Sequence, residues 1–198
     1  MRALTLLILA GLVAAPAAVP LIAPTPALAQ AAAPAWTVDK AASTLGFRAG
    51  MSDGGGYDGK FEKWEAVINF DPANLAGSKA AVTIDTGSVT IDYADAQAEL
   101  PDANWLNVAK FPTASFTTKS IKSVGANKYE ALGDLKILEV TREVTLPFTL
   151  TITGDTAKMD GTMTIDRTKW GLGKGKWTEG DFVNLEAGIK VQVVAKRK

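Results

Sequence analysis

The chain has 198 residues, with neither Cys nor His, and its 21 Lys and Arg balance 21 Asp and Glu. Without His and Cys it lacks the usual zinc ligands, the imidazole base and every Ser-His or Cys-His nucleophile arrangement, and no disulfide holds it together. The balanced charge points to no nucleic acid and no anionic bilayer as partner.

The first segment reads as a targeting signal. Arg2 precedes an apolar run from Leu4 to Val13, and Ala27-Leu28-Ala29 supplies the small-x-small pattern of a signal-peptidase site. The run is shorter than the roughly 20 apolar residues that span a bilayer, and Pro16, Pro20, Pro24 and Pro26 interrupt the stretch after it. Residues 1–29 are therefore expected to be removed, giving an exported, periplasmic or secreted protein with no integral membrane span. Residues 30–35 read as a flexible leader and 36–198 as one domain, long enough to bury a core.

From Trp36 the dominant signal is alternation. Leu45, Phe47 and Ala49 interleave with Gly46 and Arg48, and Trp64, Ala66, Ile68 and Phe70 with Glu65, Val67 and Asn69. Weaker β-branched or aromatic runs cover Ala81 to Ser88, Ser115 to Val124, Lys128 to Leu138 and Lys158 to Arg167. The longest clean run takes Val144, Leu146, Phe148, Leu150 and Ile152, and a last one takes Val183, Leu185, Ala187, Ile189 and Val191. A period of two over such lengths predicts strands with one buried and one wet face, which belong to antiparallel sheets. Asp71-Pro72-Ala73-Asn74, Gly125-Ala126-Asn127, Gly154-Asp155 and Gly171-Leu172-Gly173 punctuate them as turns.

Pro147 falls on the wet face of its run, which predicts an edge strand or a bulge there. The Ala-rich stretch Ala94 to Leu100 predicts one short helix stopped by Pro101, with Asp102 capping a second turn that carries Trp105 and Leu106. About eight strands with one helical insert fit either a closed barrel or a two-sheet sandwich.

Two constellations invite a catalytic reading. Gly171-Leu172-Gly173-Lys174-Gly175-Lys176 lacks the phosphate-loop spacing and any following helix, so it reads as a flexible loop. Asp85, Asp92, Asp95, Glu99 and Asp102 gather around the helical insert, where a carboxylate-based hydrolase would need two of them across a cleft. Capping and solvation account for them as well, and they do not match a calcium loop. Tyr57, Tyr93 and Tyr129 complete the polar inventory. No metal or other cofactor is expected.

Five motifs in order carry a resemblance. They are Trp36-Thr37-Val38-Asp39 with Ser43-Thr44-Leu45-Gly46-Phe47; Gly59-Lys60-Phe61-Glu62-Lys63-Trp64 with Phe70-Asp71-Pro72; and Trp105-Leu106-Asn107-Val108-Ala109-Lys110-Phe111-Pro112 with Phe116. Gly133-Asp134-Leu135-Lys136-Ile137 running into Val140-Thr141-Arg142-Glu143-Val144, and Arg167-Thr168-Lys169-Trp170-Gly171-Leu172-Gly173, complete the set. Together they resemble the YceI-like family of polyisoprenoid-binding or lipid-binding periplasmic proteins. The departures are Arg48-Ala49-Gly50-Met51, where members often carry His; Glu139, where Gly is usual; and the Gly54-Gly55-Gly56 loop.

The resemblance implies an all-β fold, an eight-stranded antiparallel lipocalin-like β-barrel with a short helical insert. It also implies an apolar tunnel for an isoprenoid, quinone-like or fatty-acyl chain, and hence a lipid binder or carrier rather than an enzyme. A packed barrel serving as a protein-interaction or stress module is the alternative. One face of the alternating strands is then expected to line the tunnel: Phe47, Ile68, Phe70, Ile84, Phe116, Leu135, Ile137, Leu146, Phe148 and Leu185. Trp105 and Trp170 are expected at its mouth, where an amphipathic ring touches both chain and water.

Overall fold

The computed structural model describes residues 32–198; the signal segment expected over 1–29 lies outside them. The alternating runs form eleven strands of one antiparallel sheet. In chain order these are β1 Ala35–Val38, β2 Thr44–Met51, β3 Gly56–Phe61, β4 Trp64–Asn69, β5 Lys79–Asp85, β6 Val89–Ile91, β7 Thr113–Gly125, β8 Lys128–Ile137, β9 Val140–Thr153, β10 Thr156–Asp166 and β11 Val183–Arg197. The ladder between β1 and β11 closes the sheet on itself.

Six of these strands are halves of bent ones. β1 and β2 lie end to end along β11, kinked where the Asp39 carboxylate accepts the Ala41 and Ala42 N–H groups at 3.1 and 3.3 Å. β4 pairs with β1 and β5, while β3 pairs with β2 and β6, so β3 and β4 bend together at Glu62 and Lys63. β5 and β6 are separated by a 3-10 turn, Thr86–Ser88. Buried Thr86 fixes that bend, its hydroxyl donating to the Phe111 carbonyl at 2.7 Å. Counting each bent pair once leaves a closed barrel of eight strands that follow one another around the ring. Closure pairs the strands around the ring and leaves free edges locally, at β6 and along the first half of β9.

The one α-helix among the described residues, α1 Ala94–Glu99, sits where the expected insert lies. Its Gln97 side chain accepts from Ile91 N–H at 3.0 Å and donates to the Val89 carbonyl at 3.1 Å. The helix thereby covers the edge of β6 that has no strand partner. The second turn, after Pro101, is a run of tight turns in which the Trp105 and Asn107 N–H groups both bond the Asp102 carbonyl. Among the described residues no helix is long and apolar enough to cross a membrane.

One expectation needs correction and another holds locally. The leader does not extend to residue 35: Ala33 is buried, the Pro34 carbonyl accepts from Phe70 N–H at 3.0 Å, and Ala35 opens β1. The edge expected at Pro147 is present over half of the strand, and no bulge accompanies it. Pro147 stands where β9 parts from β10, since the two pair only from Phe148 onward. From Val140 to Pro147, β9 keeps its ladder to β8 alone, which is where a residue without an N–H is tolerated.

The interior divides into two apolar clusters. One includes Leu45, Trp64, Ile84, Leu135, Ile137, Ile165 and Trp170. The other gathers Trp36, Phe70, Tyr129, Leu150, Ala157 and Ala195 at the end of the barrel that carries the 70–78, 126–127 and 154–155 turns.

Candidate functional site

The barrel encloses a cavity of about 600 Å³ lined by members of both clusters. Its walls are the inward positions of the strands: Phe47, Ile68, Phe70, Ile84, Phe116, Leu135, Ile137, Leu146 and Phe148 all line it. Ala66, Val82, Ala131, Met163, Ile189 and Val193 complete the apolar wall between these larger side chains. At Gly133 a Cβ would stand 2.8 Å from the Phe116 ring and 2.6 Å from the Thr117 carbonyl. Its lack of a side chain lets the Phe116 ring lie across β8.

The cavity has a floor. Trp36 donates its indole N–H to the Phe70 carbonyl at 2.9 Å. Phe70 meets Tyr129 edge to face at 5.5 Å, and Tyr129 stacks on Phe148 at 5.3 Å. Trp36, Phe70 and Tyr129 are all buried, and the Arg197 guanidinium lies 5.0 Å from the Trp36 ring centre. Nearby, the Thr118 hydroxyl exchanges hydrogen bonds with Ala80, accepting from its N–H at 2.8 Å and donating to its carbonyl at 3.2 Å.

The other end is built from loops. There the β2–β3 hairpin, α1 and residues 167–182 surround a mouth lined by Tyr57, Tyr93, Trp105, Trp177 and Phe182. Tyr57 and Tyr93 stack at 4.4 Å, Trp105 and Trp177 meet at 5.8 Å, and Trp177 and Phe182 at 6.0 Å. Phe182 is 56% exposed and Tyr93 39%. The Tyr93 hydroxyl donates to Asp95 at 3.0 Å, which raises its pKa above the ordinary phenol value. Asp95, Glu99, Lys176, Asn184 and Glu186 add polar groups to the same rim, with Lys176 and Glu99 4.0 Å apart.

One cation is buried in this rim. Arg167 is 2% exposed, and its guanidinium donates to the carbonyls of Asn184 (2.9 Å), Leu172 (2.8 Å), Val183 (2.9 Å) and Trp177 (2.5 Å). Burial lowers its pKa from the ordinary guanidinium value, and the neighbouring Asp166 carboxylate offsets part of that. Gly173, at φ 78°, passes so close that a Cβ would lie 2.1 Å from Arg167 Nη1. The Gly-Lys loop is therefore no free loop: Arg167 ties it to β11, and Gly173 and Lys174 N–H both bond the Asn104 carbonyl. The sequence marked this Arg only as part of a motif; the glycines after it were the one signal of a close approach, and its guanidinium also lies 5.2 Å from the Trp105 ring centre.

Two expected lining residues are not in the wall. Leu185 is 39% exposed, because a bulge between Val183 and Ala187 shifts the register of β11 against β2 and turns it outward. Trp170 is buried at 3% but lies behind the wall, its indole donating to the Leu135 carbonyl at 3.1 Å, where β9 and β10 part. Trp105 does line the mouth, and its partner there is Trp177 rather than Trp170.

A closed antiparallel barrel whose strands follow one another around an apolar cavity is a lipocalin-like β-barrel. The YceI-like domain model matches residues 36–195, and the chain belongs to that family. Protein YceI of Salmonella arizonae is 39% identical over 97 residues, covering 49% of this chain and 50% of that protein. The match thus spans about half the length of these curated relatives. Among solved structures, Burkholderia cenocepacia BcnA superposes with a TM-score of 0.77 at 31% identity, covering 81% of this chain and 100% of that one. A polyisoprenoid binding domain from Saccharophagus degradans shares the fold, with a TM-score of 0.63 at 13% identity over 83% of this chain and 99% of that one.

Proposed function

We propose that this protein is exported to the periplasm, with cleavage after Ala29, and there holds an apolar or amphiphilic lipid inside its barrel. The observation that carries the reading is the cavity itself, apolar along its walls, closed at one end and aromatic at the other. Each methylene moved from water into such a wall gains about 0.8 kcal/mol. A dry lumen therefore binds a hydrocarbon chain without any specific polar contact, and shields it across an aqueous compartment. A packed interaction module would fill this space with its own side chains. The polar groups of the rim hold loops together, so we read the site as one of binding and not of catalysis. The name of the S. degradans domain makes an isoprenoid chain the first probe, with quinone-like and fatty-acyl chains next.

The test is mass spectrometry of an organic extract of protein purified from the periplasm. A co-purifying lipid in stoichiometric amount is the expected result. An empty protein that also fails to take up added isoprenoid, quinone or fatty acid would sink the reading. N-terminal sequencing of the same sample is expected to begin at Gln30.

A further inference from the structure

Large hydrophobic side chains left in water are unevenly spread over the molecule. Among the described residues they are Val67 on β4, Val124 near the end of β7, and Tyr93, Phe182 and Leu185, all three carried by the segments that frame the mouth. The last two are held outward by built structure. Ser52 donates its N–H to the Phe182 carbonyl at 3.1 Å and its hydroxyl to the Asp181 carbonyl at 2.6 Å. Leu185 rests against Gly180, where a Cβ would come within 3.1 Å of its Cδ2, and Arg167 holds the Trp177 and Val183 carbonyls on either side. An apolar patch fixed in this way loses little conformational freedom when a partner covers it.

Charge says what that partner is. Residues 51–58, 92–102 and 174–186 carry nine Asp and Glu against two Lys, although the whole chain is balanced. Such a fringe repels an anionic surface and suits one that presents cations. The chain shows the pairing with its own Lys176, whose ammonium lies 4.4 Å over the Trp177 ring and 4.0 Å from the Glu99 carboxylate. The Tyr57–Tyr93 stack beside Asp95 repeats the ring and the carboxylate, and no cation of the described residues lies over it. We infer that the mouth docks on a bilayer of zwitterionic headgroups, with Phe182 and Leu185 entering the headgroup layer and the acidic fringe meeting its outward ammonium groups. The inference deepens the lipid-holding reading and rests on it. Trp177 and Phe182 carry the apolar surface from the patch into the lumen, so docking sets the mouth against the phase in which a lipid dissolves.

The experiment measures co-sedimentation of the purified mature protein with vesicles at low ionic strength. Vesicles of phosphatidylethanolamine and phosphatidylcholine are expected to carry it down. Those with about a third of the lipid replaced by phosphatidylglycerol are expected to carry down at least about threefold less, and high salt to close that gap. Phe182→Ser and Leu185→Ser, each with an unchanged melt, should weaken partitioning by about fivefold. Val67→Ser, which removes an equally exposed apolar side chain from β4, should leave it as it was. Asp95→Asn should narrow the difference between the two kinds of vesicle. Stronger binding to the phosphatidylglycerol vesicles, or an equal loss on Val67→Ser, overturns the docking. So does a protein that ignores every vesicle. If lipid still co-purifies with that protein, the lipid-holding reading stands, and a dimer dissociated by Phe182→Ser would assign the patch to a second copy instead.

Discussion

At the closed end of the barrel, rings meet rings, and the polar atoms of Trp36 and Phe70 are consumed by neighbouring backbone. At the mouth, aromatic rings are half exposed and the loops that carry them converge on one buried guanidinium. The first end is made by strand termini, whose inward direction comes from register. The second is made by loops, whose positions come from hydrogen bonds to Arg167. On the proposed function, a barrel that stays folded while a lipid enters and leaves keeps its apolar packing at the end away from the mouth. It gives the other a polar clasp and a rim of exposed rings.

The contrast is broken or sharpened by substitution. The largest effect is expected at the floor: Trp36→Ala should destabilise by about 3–5 kcal/mol, as the deletion of a buried large ring does. Trp177→Ala at the mouth should cost less than about 1 kcal/mol, because that ring is partly wet already. Equal losses in urea denaturation would show that the two ends are not built differently. Arg167→Met is the exception expected at the mouth. It strands carbonyl acceptors that burial keeps from water, at a cost of about 3 kcal/mol. Hydrogen exchange should show the damage confined to residues 171–184, and a global loss of protection would mean the clasp is part of the core.

How much of this was legible in the sequence depends on the same contrast. The period of two placed Phe47, Ile68, Phe70, Leu146 and Phe148 on the inner face because nothing between a strand's ends disturbs its alternation. Leu185 defeated the rule because the bulge ahead of Ala187 adds a residue that no period announces. Trp170 was misplaced for another reason. Its neighbours Gly171 and Gly173 suggested a surface turn, whereas the parting of β9 and β10 at Pro147 leaves a seam its ring fills. The mouth was least legible, since the Tyr57–Tyr93 stack joins two separate segments and the four carbonyls on Arg167 come from irregular turns that no period announces.

A smaller effect joins the two kinds of end through pH. Asp166, at the exit of β10, accepts the Thr168 hydroxyl at 2.6 Å and the Thr168 N–H at 3.1 Å, capping the 3-10 turn that carries Arg167 and Trp170. The Thr168 hydroxyl, above all, holds its carboxyl below the ordinary aspartate value, against some opposition from burial. A depressed folded pKa contributes stability that is present above the unfolded value and is lost as pH falls through the folded one. Asp166→Ala should therefore cost about 1 kcal/mol near neutrality, as the loss of a cap does. The gap from the wild type should shrink as the pH is taken below the ordinary carboxylate range. A gap independent of pH would mean the cap acts without its charge.

The smallest expected effect on stability falls on Phe182. Its ring is 56% exposed, touches Trp177 edge on at 6.0 Å, and sits just before β11 at the rim of the cavity. Since most of its surface is already in water, Phe182→Ser should shift the unfolding midpoint by less than about 0.5 kcal/mol. Its expected consequence is kinetic. A ring at the mouth gives a hydrocarbon tail an apolar surface to meet before it leaves water, and eases the passage of a departing one in the same way. Removing it should slow loading and leave the filled lumen, and hence the depth of binding, largely as before. Stopped-flow uptake of geranylgeraniol, set beside equilibrium affinity, separates the two. Slower association with nearly unchanged affinity places Phe182 at the gate. An affinity loss as large as that of a wall residue such as Leu146→Ala would instead make it part of the lumen, and the division between a fixed interior and a working rim would have to be redrawn.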